Sequence, residues 1–436
     1  MEIYMNNTIK LAVAAALLAG ASSANAGIMI PAGDWTLDIG GIVNTYYTHT
    51  STSGDAVDGL GGATDTEKND SQTNLTTGLL PNYLSVSGKT RQNDLDVGFT
   101  ISLNPGSSTT KSGIQNSPNN QENRQAFLTF GDKSWGSIKV GKDLGIFASD
   151  AILNDMTLLG VGSGAGALAG NTTTLGRIGT GFMYADWKSQ VAYSSPNWNG
   201  FSFTAGVTQA WNSHEALDSA IEGAFDDAGV FNPLVNAGNA SVGRGGSSPA
   251  FEGKVSYEWA GDFGGKVWAS GMTQKVEGIS SITTASGFDD DRATGYDIGA
   301  TINVAGFGLT GYYGKGDGLG TIVQLRDGFD STGKARDSDD WYVQATYTLP
   351  GVGTKLGASY GESTLDGNGA STDYLKEWQH SMWVVGAYHP ITKHLNLVAE
   401  YSQVKSELDI RAGGTAPAVS IDGKSKTISL GAILFF

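Results

Sequence analysis

Gly357-Ala358-Ser359-Tyr360-Gly361 matches G-x-S-x-G, the spacing that raises a serine nucleophile on a sharp strand-to-helix turn. Its context is wrong for that chemistry. Leu356, Ala358 and Tyr360 alternate with Gly357 and Ser359 as an ordinary strand. Gly160-Val161-Gly162-Ser163-Gly164-Ala165-Gly166 has the glycines of a phosphate-binding loop but lacks the Gly-Lys-Ser/Thr that must follow. It reads instead as backbone free to fold compactly. The histidines His49, His214, His380, His389 and His394 show no metal-ligand spacing. The chain has no cysteine, which removes disulfides, thiolate metal sites and a cysteine nucleophile. Its formal charge of -16 argues against a nucleic-acid partner. No catalytic residue, metal or cofactor is expected.

What remains is charge placed on alternating segments. Leu95, Val97, Phe99, Ile101 and Leu103 alternate with Asp96, Gly98, Thr100 and Ser102. Tyr296, Ile298, Ala300 and Ile302 alternate with Asp297, Gly299 and Thr301, and Leu397, Ala399 and Tyr401 with Val398, Glu400 and Ser402. This period of two is that of a strand with unlike faces. Asp38, Asp96, Asp297, Lys355 and Glu400 are expected on the polar face.

The connections between such segments are unequal. Tight turns recur over 90–93, 132–136, 197–200, 261–265, 305–308, 350–353 and 390–393. Between them lie long Gly/Ser/Asp-rich stretches, roughly 50–77, 104–121, 143–178, 213–250, 278–292, 316–338, 365–377 and 408–424. Short turns at one end and long loops at the other mark a transmembrane β-barrel. The count is about sixteen strands. A high glycine content, 63 residues, suits many strands joined by tight turns.

The termini agree. Lys10, the apolar run Leu11–Gly20 and Ala24-Asn25-Ala26 have the order of an export signal, with cleavage between Ala26 and Gly27. Residues 1–26 are expected to be removed and 27–436 to form the barrel. At the far end Ile428, Leu430, Ala432, Leu434 and Phe436 alternate with Thr427, Ser429, Gly431 and Ile433. Phe436 and Leu434 are expected to belong to an interfacial aromatic girdle and an assembly signal.

Three stretches resemble the general trimeric porins of Gram-negative outer membranes. They are Asn123-Arg124-Gln125-Ala126-Phe127 running on to Gly131 and Trp135–Lys142; Val191-Ala192-Tyr193-Ser194-Ser195-Pro196-Asn197-Trp198-Asn199-Gly200-Phe201; and the terminal strand. The resemblance implies an all-β, sixteen-stranded antiparallel barrel that trimerises, with loop 3 folded into the lumen to narrow it. It implies passage of ions and small hydrophilic solutes down their gradients. In such porins acids of loop 3 face a ladder of arginines on the wall. On that pattern Arg124 matches a ladder arginine, and Asp155 and Asp150 match loop acids. Tyr83 and Ser194 stand where two further arginines would fall, and an apolar position near Leu158 or Leu159 replaces an acid. Lys142 matches a basic position of the family, whereas alternation with Ile138 and Val140 points Lys139 to the lumen.

The expected function is passive diffusion through an outer-membrane pore. A substrate-selective pore for small organic acids, sugars or phosphate is the alternative, and a surface adhesin using loops 213–250 and 316–338 a more distant one. The net charge suggests a mild cation preference. Asp226, Asp227, Asp289, Asp290, Asp291, Asp337, Asp339 and Asp340 are expected in external loops as solvated surface, with divalent-cation bridging to lipopolysaccharide as the alternative. Expected partners are two further copies of the chain, outer-membrane lipid, lipopolysaccharide and the barrel-assembly machinery.

Overall fold

The computed structural model describes residues 27–55, 71–108, 121–163, 173–211, 248–276, 291–330, 333–371, 373–412 and 417–436. The expected export segment with Ala26, Asp226, Asp227, Asp289, Asp290 and most of the stretches 213–250 and 278–292 lie outside these residues. Gly27 is the first residue described.

Nineteen strand segments pair antiparallel into one sheet. The first half holds β1 (Ile28–Ala32), β2 (Trp35–Gly54), β3 (Ser71–Thr76), β4 (Tyr83–Gln92), β5 (Leu95–Pro105), β6 (Gln121–Glu122), β7 (Ala126–Asp132), β8 (Gly136–Leu144), β9 (Trp187–Ser194) and β10 (Phe201–Thr208). The second half holds β11 (Ala250–Trp259), β12 (Phe263–Val276), β13 (Asp291–Val304), β14 (Phe307–Asp317), β15 (Asp337–Thr348), β16 (Lys355–Asp366), β17 (Leu375–Pro390), β18 (Leu395–Ile410) and β19 (Val419–Phe435). A short helix, α1 (Ser149–Leu153), lies between β8 and β9.

Three segments continue others. β3 and β4 pair with the same edge of β2, so they form one stave broken over 77–82. β6 and β7 share an edge of β5 around a break at 123–125. β1 and β19 share the other edge of β2. Sixteen staves result, and the pairing of β19 with β2 closes the ring. Phe436 and Gly41 exchange backbone hydrogen bonds of 3.0 and 2.8 Å at this seam. Closure satisfies every strand edge, which hydrocarbon requires because it offers no other partner to N–H and C=O groups.

The turns collect at one end and the long connections at the other. In the turn between β4 and β5, Asn93 and Asp94 both have positive φ (49° and 62°), the primed two-residue hairpin that matches strand twist. It sits two residues beyond the expected 90–93, because β4 runs on to Gln92.

Outside and inside are reversed relative to a soluble protein. Val43, Leu84, Ile101, Ile298, Leu309, Val343, Val385 and Leu430 are exposed outward, while Thr48, Ser102, Thr310, Ser359, Ser402 and Ser429 are buried inward. Aromatics band the outer face on either side of the aliphatic zone. Near the short turns Trp198 stacks on Phe201 (6.1 Å), and Phe307 meets Tyr347 at a tilt (4.3 Å). Higher up, Trp341 meets Tyr360 (5.7 Å) and Trp383 meets Tyr401 (5.2 Å). Amphipathic rings favour the two membrane–water boundaries, and the aliphatic zone between them faces the acyl chains.

Candidate functional site

Loop 3 joins β8 to β9, and its described parts, 145–163 and 173–186, run inside the barrel. Its backbone leaves the sheet, so its N–H groups need other acceptors. Inward carboxylates of the wall supply them. Glu252 on β11 accepts from the N–H groups of Ile146 (2.8 Å) and Phe147 (2.9 Å) through Oε2. Its Oε1 accepts from Lys188 Nζ (2.6 Å) and Thr208 Oγ1 (3.0 Å). Asp297 Oδ2 accepts from the N–H of Ala148 (3.1 Å) and from Ser270 Oγ (2.6 Å). Asp340 Oδ2 accepts from Met183 N–H (3.0 Å). Glu400 Oε2 accepts from Val161 (2.8 Å) and Gly162 (2.9 Å), while Tyr388 donates to Oε1 (2.6 Å).

The first two glycines of the 160–166 motif, Gly160 and Gly162, explain themselves here. A Cβ on Gly160 would stand 2.0 Å from Glu400 Oε1, and Gly162 has φ +72°. Only bare backbone can come this close to the carboxylate.

Apolar packing holds the loop to one side. Ala151, Ile152, Met156, Leu158, Phe182 and Tyr184 join a cluster with Tyr312, Tyr342, Met382, Tyr388 and Val398 of the wall. Loop 3 therefore leans on β14–β18, and Ile42 and Tyr46 of β2 with Leu79 and Leu80 join the same cluster. On its other side a cavity of about 400 Å³ remains, bounded by β2, β4, β5, β7–β11 and the first arm of the loop.

Among the residues singled out by sequence, Asp38, Lys139 and Ser194 line this cavity. Ser194 shares a hydrogen bond with Thr204 (3.0 Å). Lys139 pairs with Asp143, and its ammonium lies 4.9 Å from the ring centre of Phe127. Lys142 stands opposite the outward Ala126 and donates to the carbonyl of Asn123 (2.9 Å). Asp96 pairs with Arg91 (2.8 Å) at the short-turn mouth, where Arg91 also holds Asp132 (2.9 Å). The Lys355 ammonium lies 5.0 Å from the centre of the Tyr388 ring. Asp297 and Glu400 lie beneath loop 3 and hold it.

The eyelet candidates are each engaged locally. Arg124 is buried in the break between β6 and β7, bonded to Glu122 (2.8 Å), with its guanidinium 5.7 Å from the Trp187 ring centre. Asp155 caps the short 3-10 turn Met156–Leu159, accepting from Thr157 N–H (2.9 Å), Thr157 Oγ1 (2.6 Å) and Arg177 N–H (3.3 Å). Asp150, on α1, is buried between Lys254 (2.9 Å) and Lys266 (2.7 Å). Burial pushes its carboxyl up, but the two ammonium groups outweigh this and hold it down at about 2. Tyr83 opens β4 half-buried against the apolar cluster.

Sequence reading missed Glu252, Lys188, Lys254 and Lys266 as functional positions, and it placed Asp340 in a solvated loop, whereas Asp340 is buried on β15. Parity carried the signal for β11: Phe251, Val255 and Tyr257 are exposed outward and alternate with Glu252, Lys254 and Ser256. Ser359 Oγ donates to the Val343 carbonyl (3.2 Å) in the middle of β16, an ordinary strand position. Among the described residues no cluster of three or more His, Asp or Glu is arranged to hold a metal ion.

A family model described as Gram-negative porin matches residues 12–408. Comparison by sequence with curated proteins finds no match. Among solved structures, the chain is similar to an anion-selective porin from Comamonas acidovorans (15% identity, TM-score 0.56, 92% of this chain and 100% of that one). It is similar also to the outer membrane channel DcaP of Acinetobacter baumannii (15%, 0.57, 93% and 99%) and to OmpT of Vibrio cholerae (14%, 0.56, 94% and 100%). At these identities the structural likeness is one of fold.

Proposed function

We infer the permeation route from one fact above all: the chain belongs to the Gram-negative porins. It is an outer-membrane channel for passive diffusion of ions and small hydrophilic solutes. The route we propose runs through the half-lumen beside loop 3, along β2–β11, with loop 3 as its fixed inner wall. The carrying observation is the cavity lining, which presents Lys89, Lys139 and Lys254 against Asp38 and Asp143. The wall acids Glu252, Asp297, Asp340 and Glu400 are turned to the loop backbone instead.

The sign of selectivity then follows the lining rather than the chain total of -16. Solutes sense the charges of the narrow, low-dielectric path more than those in external loops. A weak anion preference is expected in place of the cation preference suggested by net charge. Reversal potential across planar bilayers in asymmetric KCl decides it: an anion-signed potential supports this route, and a cation-signed one defeats it.

The same reading extends to assembly. OmpT of Vibrio cholerae, 14% identical, has a form described as a trimer, and three copies of this chain are the expected unit. The outward Leu434 and the seam residue Phe436 suit an assembly signal read by the barrel-assembly machinery. Lipopolysaccharide would meet the charged outer face above the upper aromatic band, where Asp337 and Asp339 stand on β15.

A further inference from the structure

The cavity beside loop 3 carries an apolar stretch within an otherwise largely polar lining. Phe127, Leu144, Ala192, Ile146 and Leu153 together give its wall an apolar patch. Three lysines, Lys89, Lys139 and Lys254, border the same cavity. The side chains of Lys139 and Lys254 retain 25% and 22% exposure. Lys254 shares Asp150 of α1 with Lys266, which also pairs with Glu258 (3.5 Å). Leu144 also borders a second recess of about 10 Å³, room for about one water. That recess is lined by Leu80, Ile152, Leu158, Tyr184 and Trp187, with Arg124 as its charged group.

We propose that this lumen selects monoanions with an apolar body, aromatic carboxylates being the type, over polar anions of equal charge. The proposal rests on the permeation route given above and adds its solute class. A cavity of about 400 Å³ accommodates a small organic molecule. The apolar body leaves water at the Leu144–Leu153 patch while the carboxylate stays beside an ammonium group. Against the Leu144–Leu153 patch a polyhydroxylated solute loses water contacts that the two leucines cannot replace.

The test uses the full chain, folded and inserted into planar bilayers. Conductance in KCl comes first; a folded protein that never conducts defeats the pore itself, a failure distinct from that of the selectivity proposal. Bi-ionic reversal potentials with sodium benzoate and sodium gluconate then give the permeability ratio. The wild-type ratio should exceed the ratio of aqueous mobilities by at least about fivefold, a modest discrimination for an apolar pocket. In Leu144→Asn and Leu153→Asn the ratio should fall to the mobility ratio while KCl conductance rises, which also shows that both variants fold. A wild-type ratio equal to that of the mobilities overturns the proposal. So does an elevated ratio that both conducting variants retain.

Discussion

A carboxylate inside a barrel can face water or accept the hydrogens of a loop, and here Glu400 does the second. Gly160→Ala would push a methyl against its Oε1, 2.0 Å away, and separate the acid from Val161 and Gly162. Losing two charge-assisted bonds should loosen loop 3 by about 2–3 kcal/mol. Limited proteolysis of the folded protein in detergent should then cut loop 3 faster than in wild type. Gly311→Ala, whose Cβ would meet open space, should not change the rate. Asp150 offers a second test. Its carboxyl is depressed to about 2, below the ordinary value near 4, so its contribution is present above that ordinary value. It is lost only as pH falls through the folded value. Loop anchoring by Asp150 should thus persist at pH 3 and fail near pH 2, read as a change in single-channel current. In Lys254→Gln/Lys266→Gln the failure should move to higher pH. Parity alone made Asp297 and Glu400 legible as inward residues. Their partners were not legible, because a bond to a loop's backbone leaves no side-chain pattern in sequence. Asp155 shows the same limit: its match to a loop acid was readable, whereas its capping of Met156–Leu159 depends on local backbone shape.

The elements that hold the site are two connections, joined at Lys188. Its ammonium bridges Glu252 (2.6 Å), which secures the first arm of loop 3, and Gln324 (2.6 Å), in the connection between β14 and β15. That connection docks on the returning arm of loop 3: Tyr184 N–H donates to the Ile322 carbonyl (2.8 Å). It carries strain, with Ile322, Leu325 and Asp327 at φ 61°, 70° and 59°. A β-branched residue in this region costs about 1–2 kcal/mol, so the docking contacts must offset it. Lys188→Met would leave Glu252 buried without its cation, a loss of about 3–5 kcal/mol. An apolar replacement of both partners would not restore the fold, since Ile146 and Phe147 would then lack their acceptor. The expected outcome is a lower unfolding temperature with faster proteolysis in both connections; cleavage confined to one would contradict the shared node. At this scale the staves and the asymmetry of their connections were legible from periodicity. The breaks over 77–82 and 123–125 were not. The first exists because its backbone turns inward to lumen partners, Asn44 bonding Leu80 and Gly78 (both 2.9 Å) and Leu79 bonding Gly160 (2.7 Å).

The outer surface of the whole barrel is uneven, and that unevenness locates the expected trimer contact. Aromatic pairs crowd β9–β18, among them Tyr193–Phe203, Tyr257–Trp259, Phe307–Tyr347 and Trp383–Tyr401. The outer face of β2–β7 presents mainly aliphatic side chains, Val43, Leu75, Leu84, Ile101, Leu103 and Leu128, with Tyr47 and the Trp35–Phe99 pair (5.7 Å) as its aromatics. Rings that seek the headgroup level anchor a lipid-facing wall, whereas aliphatic side chains interdigitate closely with another copy. This also accounts for the less regular alternation of the first strands, which would meet protein rather than lipid. Leu84→Lys/Ile101→Lys should therefore convert trimers into folded monomers in detergent, measured by sedimentation. A lysine facing the acyl chains costs about 2–4 kcal/mol at the midplane, little against a closed barrel but repeated three times at a threefold contact. Leu309→Lys/Val343→Lys, on the aromatic-banded side, should weaken the barrel comparably and leave the trimer intact. Trimers that survive the first pair and dissociate with the second would place the contact on the opposite wall.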